Sequence, residues 1–205
     1  MSKSISPRKQ KALITKSKIY KTAIELIRTK GYNHVTIDEI CDKSGVTKGA
    51  FYHHFNSKES ILQSSYLDAD ARILNKLPTI MKNRSSLEQV KEITLIYAEV
   101  VQYKGVEIIK QNMRNHLDST KKKDDFYNDF YGPQRRPVIE IQLAILKTGQ
   151  KNNEIRNDIP PENIMRYIIS TFNGFVLDWC YHNGNYDFKQ KMQEVWPQLI
   201  ASFKE

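Results

Sequence analysis

The chain is poor in cysteine, glycine and proline, and it has no long apolar run. Cys41 and Cys180 are the only cysteines in 205 residues, and both lie in apolar stretches. They predict two buried, reduced thiols, with a redox pair as the alternative. No run reaches the roughly 18 apolar residues that a membrane span needs, and the N-terminus lacks the apolar segment of a secretory signal. We therefore expect a folded, mostly helical, cytoplasmic protein with no membrane partner.

The sequence also lacks the motifs that enzymes and metal sites need. There is no Gly-rich phosphate loop and no Cys-x-x-Cys pair. His53 and His54 are adjacent, so on a helix they point about 100° apart and cannot bind one metal ion. His34 and Asp38 have a usable spacing, but no third ligand is near them. We predict that the protein is not an enzyme and holds neither cofactor nor metal.

Positive charge is what the chain has in excess, and it is unevenly distributed. The formal net charge is +9, and residues 1–60 contain 12 basic and 5 acidic residues. Residues 61–205 contain 20 basic and 18 acidic residues and are therefore close to neutral. A basic excess in one part of a chain is expected when phosphate neutralisation drives binding to nucleic acid, although basic N-termini also aid solubility.

Residues 36–62 combine helix start and stop signals in the order of a helix-turn-helix. Thr36 and Glu39 have the spacing of a capping box and precede apolar residues. Gly45 suits the left-handed position just after a helix, and Thr47 can cap the next helix. In such a motif the second helix enters the major groove of DNA. The sequence predicts that Ala50, Phe51 and Phe55 of that helix face inward, whereas Lys48, Tyr52 and His53 point outward.

Helical periodicity continues on both sides of this motif. Residues 1–14 are polar and basic and predict a flexible arm, either touching DNA or inert. Thr15 can cap a first helix that ends at Gly31. Ser57 can cap a fourth helix that stops before Pro78, since proline breaks helices. Apolar spacing predicts further helices near residues 87–101, 105–118, 133–151, 160–182 and 186–203.

The stretch Val46-Thr47-Lys48-Gly49-Ala50-Phe51-Tyr52-His53-His54-Phe55-Asn56-Ser57-Lys58-Glu59 closely resembles the signature of TetR-family transcriptional regulators. The resemblance covers about 50 residues, roughly 15–64, and includes the Lys-Gly pair and the Tyr-x-His-Phe run. It implies an all-α fold. An N-terminal three-helix helix-turn-helix DNA-binding domain would occupy residues 1–60, and a C-terminal helical ligand-binding and dimerisation domain residues 61–205.

The resemblance also implies roles for individual residues in binding a double-stranded DNA operator. Phosphates are expected at Thr36, at the start of its helix, and at Lys58. Gly49 would let the backbone approach DNA, and His54 would contact a phosphate or support the domain. Bases and backbone in the major groove would be contacted by Tyr52 and His53. The implied DNA-binding set is Thr36, Thr47, Lys48, Gly49, Tyr52, His53, His54 and Lys58.

In the resembled family the last two long helices form a homodimer, and the central helices hold a small-molecule effector. The counterparts here are residues 161–182 and 186–203. Their apolar residues exceed what docking on one small domain needs, and internal packing is the alternative reading. These are Ile164, Ile168, Phe172, Phe175, Val176, Trp179, Val195, Trp196, Leu199, Ile200 and Phe203. The effector-pocket candidates are Tyr97, Tyr103, Met113, Phe126, Phe130, Phe172, Asp178 and Trp179, with Asp178 as a partner for a cationic ligand.

The sequence thus predicts a ligand-responsive transcriptional regulator. It would act as a repressor that binds a palindromic operator as a homodimer and is released by an unknown small-molecule effector. The alternative is a DNA-binding protein of the same fold whose C-terminal domain binds a protein partner instead of a metabolite.

Overall fold

A computed structural model describes residues 7–63, 65–118 and 136–204, which form α-helices joined by short connections. The described residues contain no named β-strand, only an isolated bridge between Ile155 and Lys204. The predicted all-α fold is confirmed. In chain order the helices are α1 (Pro7–Lys30), α2 (Ile37–Ser44), α3 (Lys48–His54), α4 (Lys58–Gln63), α5 (Ser65–Ile80), α6 (Ser86–Lys104), α7 (Val106–Asp118), α8 (Pro137–Lys151), α9 (Pro161–Tyr181) and α10 (Phe188–Ala201).

The chain divides into two compact units. The first consists of the chain up to Ser65 together with Glu107–Asn115, and the second of Tyr66–Val106 together with the chain from His116 onward. The sequence prediction placed the division at residue 60 and did not assign Glu107–Asn115 to the N-terminal domain. Among the described residues, no helix is both long enough and apolar enough to cross a membrane.

In the first unit, α1 is longer than the sequence indicated. It begins at Pro7, a residue well suited to the first turn of a helix because its fixed φ is helical and its missing N–H is not needed there. Thr15 is not a cap, since its hydroxyl donates to the carbonyl of Lys11 within the helix (3.0 Å). The predicted flexible arm is therefore wrong from Pro7 onward, and residues 1–6 lie outside the described residues.

The core of the first unit forms where the apolar stripe of α1 meets α2, α3 and α4. Helical spacing brings Ile19, Ala23 and Ile27 onto one face, and each has no exposed surface. Aromatic residues of α3 and its C-terminus close this core from the other side. Its buried members are Ile19, Ala23, Ile24, Leu26, Ile27, Val35, Ile40, Cys41, Phe51, Phe55, Ile61, Leu62 and Ile108.

In the second unit, α6 is the central helix and packs mainly against α8 and α10. Ser85 starts α6 with a complete capping box, because its hydroxyl accepts from Glu88 N and Glu88 accepts from Ser85 N. This cap was not predicted from the sequence. The predicted apolar stripe of α6 is confirmed, since Leu87, Val90 and Ile93 are buried in the core.

Pro78 does not end α5 as the sequence predicted, because the helix continues to Ile80. Proline removes one helical hydrogen bond, to the carbonyl four residues earlier. Both Pro78 and Leu74 are exposed, so water can reach that carbonyl. Ile73 and Ile80 are buried in the core on the opposite face, and their packing holds the helix together past the proline.

The chain makes a tight turn at the C-terminal end of α8, between Gly149 and Asp158. A Cβ on Gly149 would lie 2.6 Å from Ile155 Cδ1 and 2.8 Å from Ser86 Cβ, so only glycine fits. The amide of Gln150 donates to the carbonyls of Arg156 and Ile159, both at 2.8 Å. This segment therefore fastens the end of α8 to the start of α6.

The apolar residues assigned to a dimer interface are mostly buried within the single chain. Internal packing, the alternative reading, is correct for Ile164, Ile168, Val176, Trp179, Trp196, Leu199, Ile200 and Phe203, which are all at most 7% exposed. Phe172, Phe175 and Val195 are half-buried. A different set on α9 remains exposed, namely Tyr167 (49%), Leu177 (42%) and Tyr181 (76%).

Candidate nucleic-acid interface and ligand cavity

The predicted helix-turn-helix is present, and local hydrogen bonds define its ends. The Thr36 hydroxyl accepts from Glu39 N (3.2 Å), and the Thr47 hydroxyl accepts from Ala50 N (3.1 Å). Gly45 adopts the left-handed conformation (φ 61°, ψ 40°) that turns the chain between α2 and α3. Only half of the predicted capping box at Thr36 forms, because the Glu39 carboxylate pairs with Lys30 instead.

α3 has one buried face and one exposed face. Phe51 has no exposed surface and Phe55 only 3%, so this aromatic pair anchors the helix in the core. Tyr52 is 52% exposed, and His53 and Lys48 are also exposed. The structure therefore places a basic and aromatic surface on the outer side of the second helix of the motif, as the sequence predicted.

Gly49 lies on the exposed side of α3, near its start. A Cβ at this position would meet only the Thr47 hydroxyl, at an ordinary distance of 3.8 Å. The fold of the isolated chain therefore does not require glycine here. A requirement for glycine would come from a molecule that approaches the helix from outside.

Lys48 is paired with a carboxylate of α2. Its Nζ lies 2.7 Å from Asp38 Oδ1, and both side chains are more than 60% exposed. The hydrogen bond to Asp38 raises the pKa of Lys48. An exposed pair of this kind contributes little to stability, so a phosphate can replace Asp38 without a large loss to the fold.

Lys58 does not present a free ammonium group to solvent. Its Nζ donates to the carbonyls of Tyr32 (2.6 Å) and Val35 (2.8 Å), and it lies 4.1 Å from the centre of the Tyr32 ring. Burial lowers the pKa of Lys58. The ammonium thus holds the loop between α1 and α2, and we replace the expected phosphate contact with this supporting role.

His54 is the half-buried member of the histidine pair. Its ring lies 5.0 Å from that of His53. Partial burial lowers the pKa of His54 from the ordinary 6.5, and the charges of His53 and Lys16 lower it further. Both roles expected for His54, a phosphate contact or support of the domain, stay predictions, and its half-buried ring favours the second.

Two contacts near the motif were missed by sequence reasoning. Lys18, on α1, has its Nζ 3.5 Å from the position of a Cβ on Gly45, so its charge lies beside the turn. Asp38 was not identified as the partner of Lys48. The sequence carries no signal for either contact, because each joins residues of different helices.

A cavity that is open in part to solvent lies within the second unit. Two of the predicted pocket residues, Tyr97 and Phe172, line it. Gln142, which the sequence analysis did not select, also lines it and is only 3% exposed. The full lining among the described residues is Thr94, Tyr97, Ile139, Gln142, Ile168, Ile169, Phe172 and Asn173.

The other pocket candidates do not line this cavity. Tyr103 is half-exposed, with the Arg72 guanidinium 5.8 Å from its ring centre. Met113 belongs to the first unit. Trp179 is buried and donates to the carbonyl of Tyr186 (3.0 Å). Phe126 and Phe130 lie outside the described residues.

Asp178, proposed from the sequence as the partner of a cationic ligand, is held by a neighbouring tyrosine. Tyr186 donates its hydroxyl proton to Asp178 Oδ2 at 2.7 Å. Burial and this hydrogen bond raise the pKa of Tyr186 well above its ordinary value. Asp178 is half-exposed and does not line the cavity, so it is not a partner for a ligand bound there.

Comparisons with known proteins support the same assignment. The family model described as bacterial regulatory proteins, tetR family, matches residues 19–64. The HTH-type transcriptional repressor KstR2 of Mycolicibacterium smegmatis is 21% identical over 158 residues, which cover 76% of this chain and 75% of the repressor. The probable acrEF/envCD operon repressor of Escherichia coli is 23% identical over 207 residues, covering 95% and 89% of the two chains.

Solved structures show the same fold over most of the chain. The TetR regulator TylP of Streptomyces fradiae has a TM-score of 0.64 at 24% identity, covering 95% of this chain and 88% of TylP. FadR of Thermus thermophilus, a TetR-family transcriptional repressor solved in complex with lauroyl-CoA, has a TM-score of 0.63 at 18% identity. That comparison covers 91% of this chain and 94% of FadR.

Proposed function

The chain belongs to the TetR family of bacterial regulatory proteins, and from that premise we propose that it is a transcriptional repressor. It binds a palindromic operator in double-stranded DNA as a homodimer and is released by a small-molecule effector. Because DNA is the expected partner, we place this function in the cytoplasm. The observation that carries the proposal is α3, with Phe51 and Phe55 fixed in the core and Lys48, Tyr52 and His53 exposed on its outer side.

Charge and backbone geometry support DNA as the partner of this surface. The N-terminal 60 residues carry most of the net charge of +9, which favours phosphate binding through release of counterions. The N-terminus of α2 at Thr36 can hold a phosphate. The open space over Gly49 lets the helix approach the groove closely, so that Tyr52 and His53 reach base edges.

The homodimer is supported by the exposed face of α9. Asn163, Tyr167, Ser170, Gly174, Leu177 and Tyr181 are all exposed and recur at alternating spacings of four and three residues. This spacing puts them on one stripe of the helix, where small residues allow another helix to approach. A Cβ on Gly174 would meet no atom within 4 Å. A two-fold dimer through this stripe would present two recognition helices to a palindrome.

Release by an effector is supported by the cavity and by a buried polar cluster next to it. Tyr97 lines the cavity and donates its hydroxyl proton to Asp70 of α5 (2.6 Å). α5 follows α4, which closes the helix-turn-helix unit. A ligand that moves Tyr97 would therefore shift α5, and differential binding to the two positions of α5 would lower the affinity for DNA.

Selection of DNA by the purified full-length protein from a random duplex pool tests the proposed function. We expect the selected sequences to share a palindrome whose half-sites lie about one helical turn apart. Failure to enrich any sequence would contradict the proposal. Enrichment of a single, unrepeated half-site would contradict the homodimer.

A further inference from the structure

The effector cavity lies among three helices of the second unit. Thr94 and Tyr97 come from α6, Ile139 and Gln142 from α8, and the remaining lining residues from α9. Isoleucine and phenylalanine side chains make up the greater part of the wall. A cavity with apolar walls and a few polar groups is typical of sites for small organic molecules.

No described residue that lines the cavity carries a charge. The buried charges nearest to Tyr97 face one another, since Arg136 Nε lies 3.3 Å from Asp70 Oδ2 and both residues are 7% exposed. Arg136 Nη2 also donates to the Tyr97 hydroxyl at 2.7 Å. An ionic ligand would lose its hydration here without meeting an opposite charge, which is unfavourable.

Gln142 is the buried amide of the cavity lining, whereas Asn173, the other amide there, is exposed. The residue is only 3% exposed, and its amide atoms are not among the fully buried unpaired atoms of the described residues, so the amide opens into the cavity. The hydroxyl of Thr94, in contrast, already donates to the carbonyl of Val90 (2.9 Å). A ligand that displaces water from this amide must supply both a donor and an acceptor in its place.

We propose that this cavity binds a neutral, largely apolar small molecule whose amide, carbonyl or hydroxyl group pairs with the side chain of Gln142. The proposal rests on the proposed function, because it takes this cavity as the effector site of the regulator. It replaces the cationic effector expected from Asp178 with an uncharged one.

Three probes with the same alkyl chain test the charge of the ligand. Decanamide, decanoate and decylamine are titrated calorimetrically into the full-length protein without DNA. Decanamide is expected to bind, and decanoate and decylamine at least tenfold more weakly. Binding of either ion as tightly as the amide, or binding of none of the three, would overturn the proposal.

Two substitutions test the role of Gln142. Gln142→Leu is expected to weaken decanamide binding about tenfold or more, since it removes both hydrogen bonds to the amide. The matched control, Gln193→Leu, lies on an exposed part of α10 and is expected to change nothing. Gln142→Glu is expected to bind decylamine more tightly than decanamide, a gain that an unfolded variant cannot show. Unchanged decanamide binding in Gln142→Leu would mean that Gln142 does not bind the amide group of the ligand, which would contradict the proposal.

A separate readout distinguishes failure of this inference from failure of the proposed function. Operator binding is measured by fluorescence anisotropy in the absence of ligand. Salt-dependent operator binding with no decanamide binding would refute the ligand class alone. Decanamide binding with no affinity for any duplex would refute the regulator and leave the cavity assignment standing.

Discussion

At the scale of single residues, the two lysines selected from the sequence have different surroundings. Lys48 is exposed, and its ammonium pairs with the exposed carboxylate of Asp38, so it is available to a phosphate. Lys58 donates to two carbonyls of the loop that follows α1. We therefore propose a DNA contact for Lys48 alone and a supporting role for Lys58.

Lys48→Ala should weaken operator binding and flatten the plot of log affinity against log salt by about one unit, because one phosphate contact is lost. Its melting temperature should stay close to that of the parent protein, since an exposed ion pair contributes little. Fluorescence anisotropy over a series of salt concentrations measures the slope. An unchanged slope would reject Lys48 as a phosphate contact.

Lys58→Met should show the opposite pattern. The loss of two charge-assisted hydrogen bonds to backbone carbonyls should reduce the free energy of unfolding by about 2 kcal/mol. The salt slope of DNA binding should not change. Urea denaturation measures the first effect, and a flattened slope in a fully folded Lys58→Met sample would restore Lys58 to the DNA-binding set.

His54 should make stability depend on pH. Its pKa in the folded state is below 6.5, so the unfolded chain binds the proton more tightly. The contribution of neutral His54 to the free energy of unfolding is fully present above about pH 6.5. It is lost as the pH falls from there through the folded-state pKa. His54→Gln should flatten this loss in urea denaturation between about pH 7 and pH 5, whereas the exposed His34→Gln should keep it. Parallel curves for the parent and His54→Gln would contradict this account.

At the scale of elements, local sequence signals predicted the helices of the helix-turn-helix well. Contacts between helices could not be predicted from the sequence. Thr36, Gly45 and Thr47 act on backbone groups within three residues of themselves, so their spacing alone predicted α2 and α3. Pro78 was misread because burial of Ile73 and Ile80 on the far side of α5 outweighs the lost hydrogen bond. The loop contacts of Lys58 join residues more than 20 positions apart, and no local pattern encodes them.

Packing between helices also decides which of the predicted pocket residues line the cavity. Tyr97 and Phe172 were identified because aromatic residues are common in pocket walls. Gln142 was overlooked because a glutamine in an amphipathic helix usually faces solvent, and only packing shows that this one is buried. Asp178 was selected for its apolar neighbours in sequence, but Tyr186 already occupies its carboxylate.

The turn after α8 makes a prediction at this scale. Gly149→Ala should lower the free energy of unfolding by about 1–3 kcal/mol, because the new methyl group would overlap Ile155 and Ser86. Gly49→Ala, measured without DNA, is the matched control on α3, where a Cβ would meet only the Thr47 hydroxyl at 3.8 Å. Thermal denaturation of both variants checks the difference. Equal melting temperatures would show that the turn can relax around the extra methyl group.

At the scale of the whole molecule, specificity for an operator requires two copies of the chain. A single helix-turn-helix reads too short a site to stand out among genomic competitors. Most of the apolar residues that the sequence suggested for dimerisation are buried within the single chain. We propose the exposed stripe on α9 in their place. The sequence did not show this stripe, because apolar residues are distributed around the whole helix.

Leu177→Glu should therefore shift the protein toward monomers in sedimentation experiments, because it would place charge in the proposed interface. Leu74→Glu is a matched control, since Leu74 of α5 is 43% exposed and Leu177 is 42% exposed. Both variants should fold. A dimer that persists in Leu177→Glu would remove α9 from the interface.

The most direct measurement of the central claim is the affinity of the full-length protein for double-stranded DNA as a function of salt. The account predicts that log affinity for a selected palindrome falls linearly with log salt, with a slope of several units that reflects the lysine contacts of the N-terminal domain. No measurable affinity for any duplex, or an affinity that does not change with salt, would contradict the account.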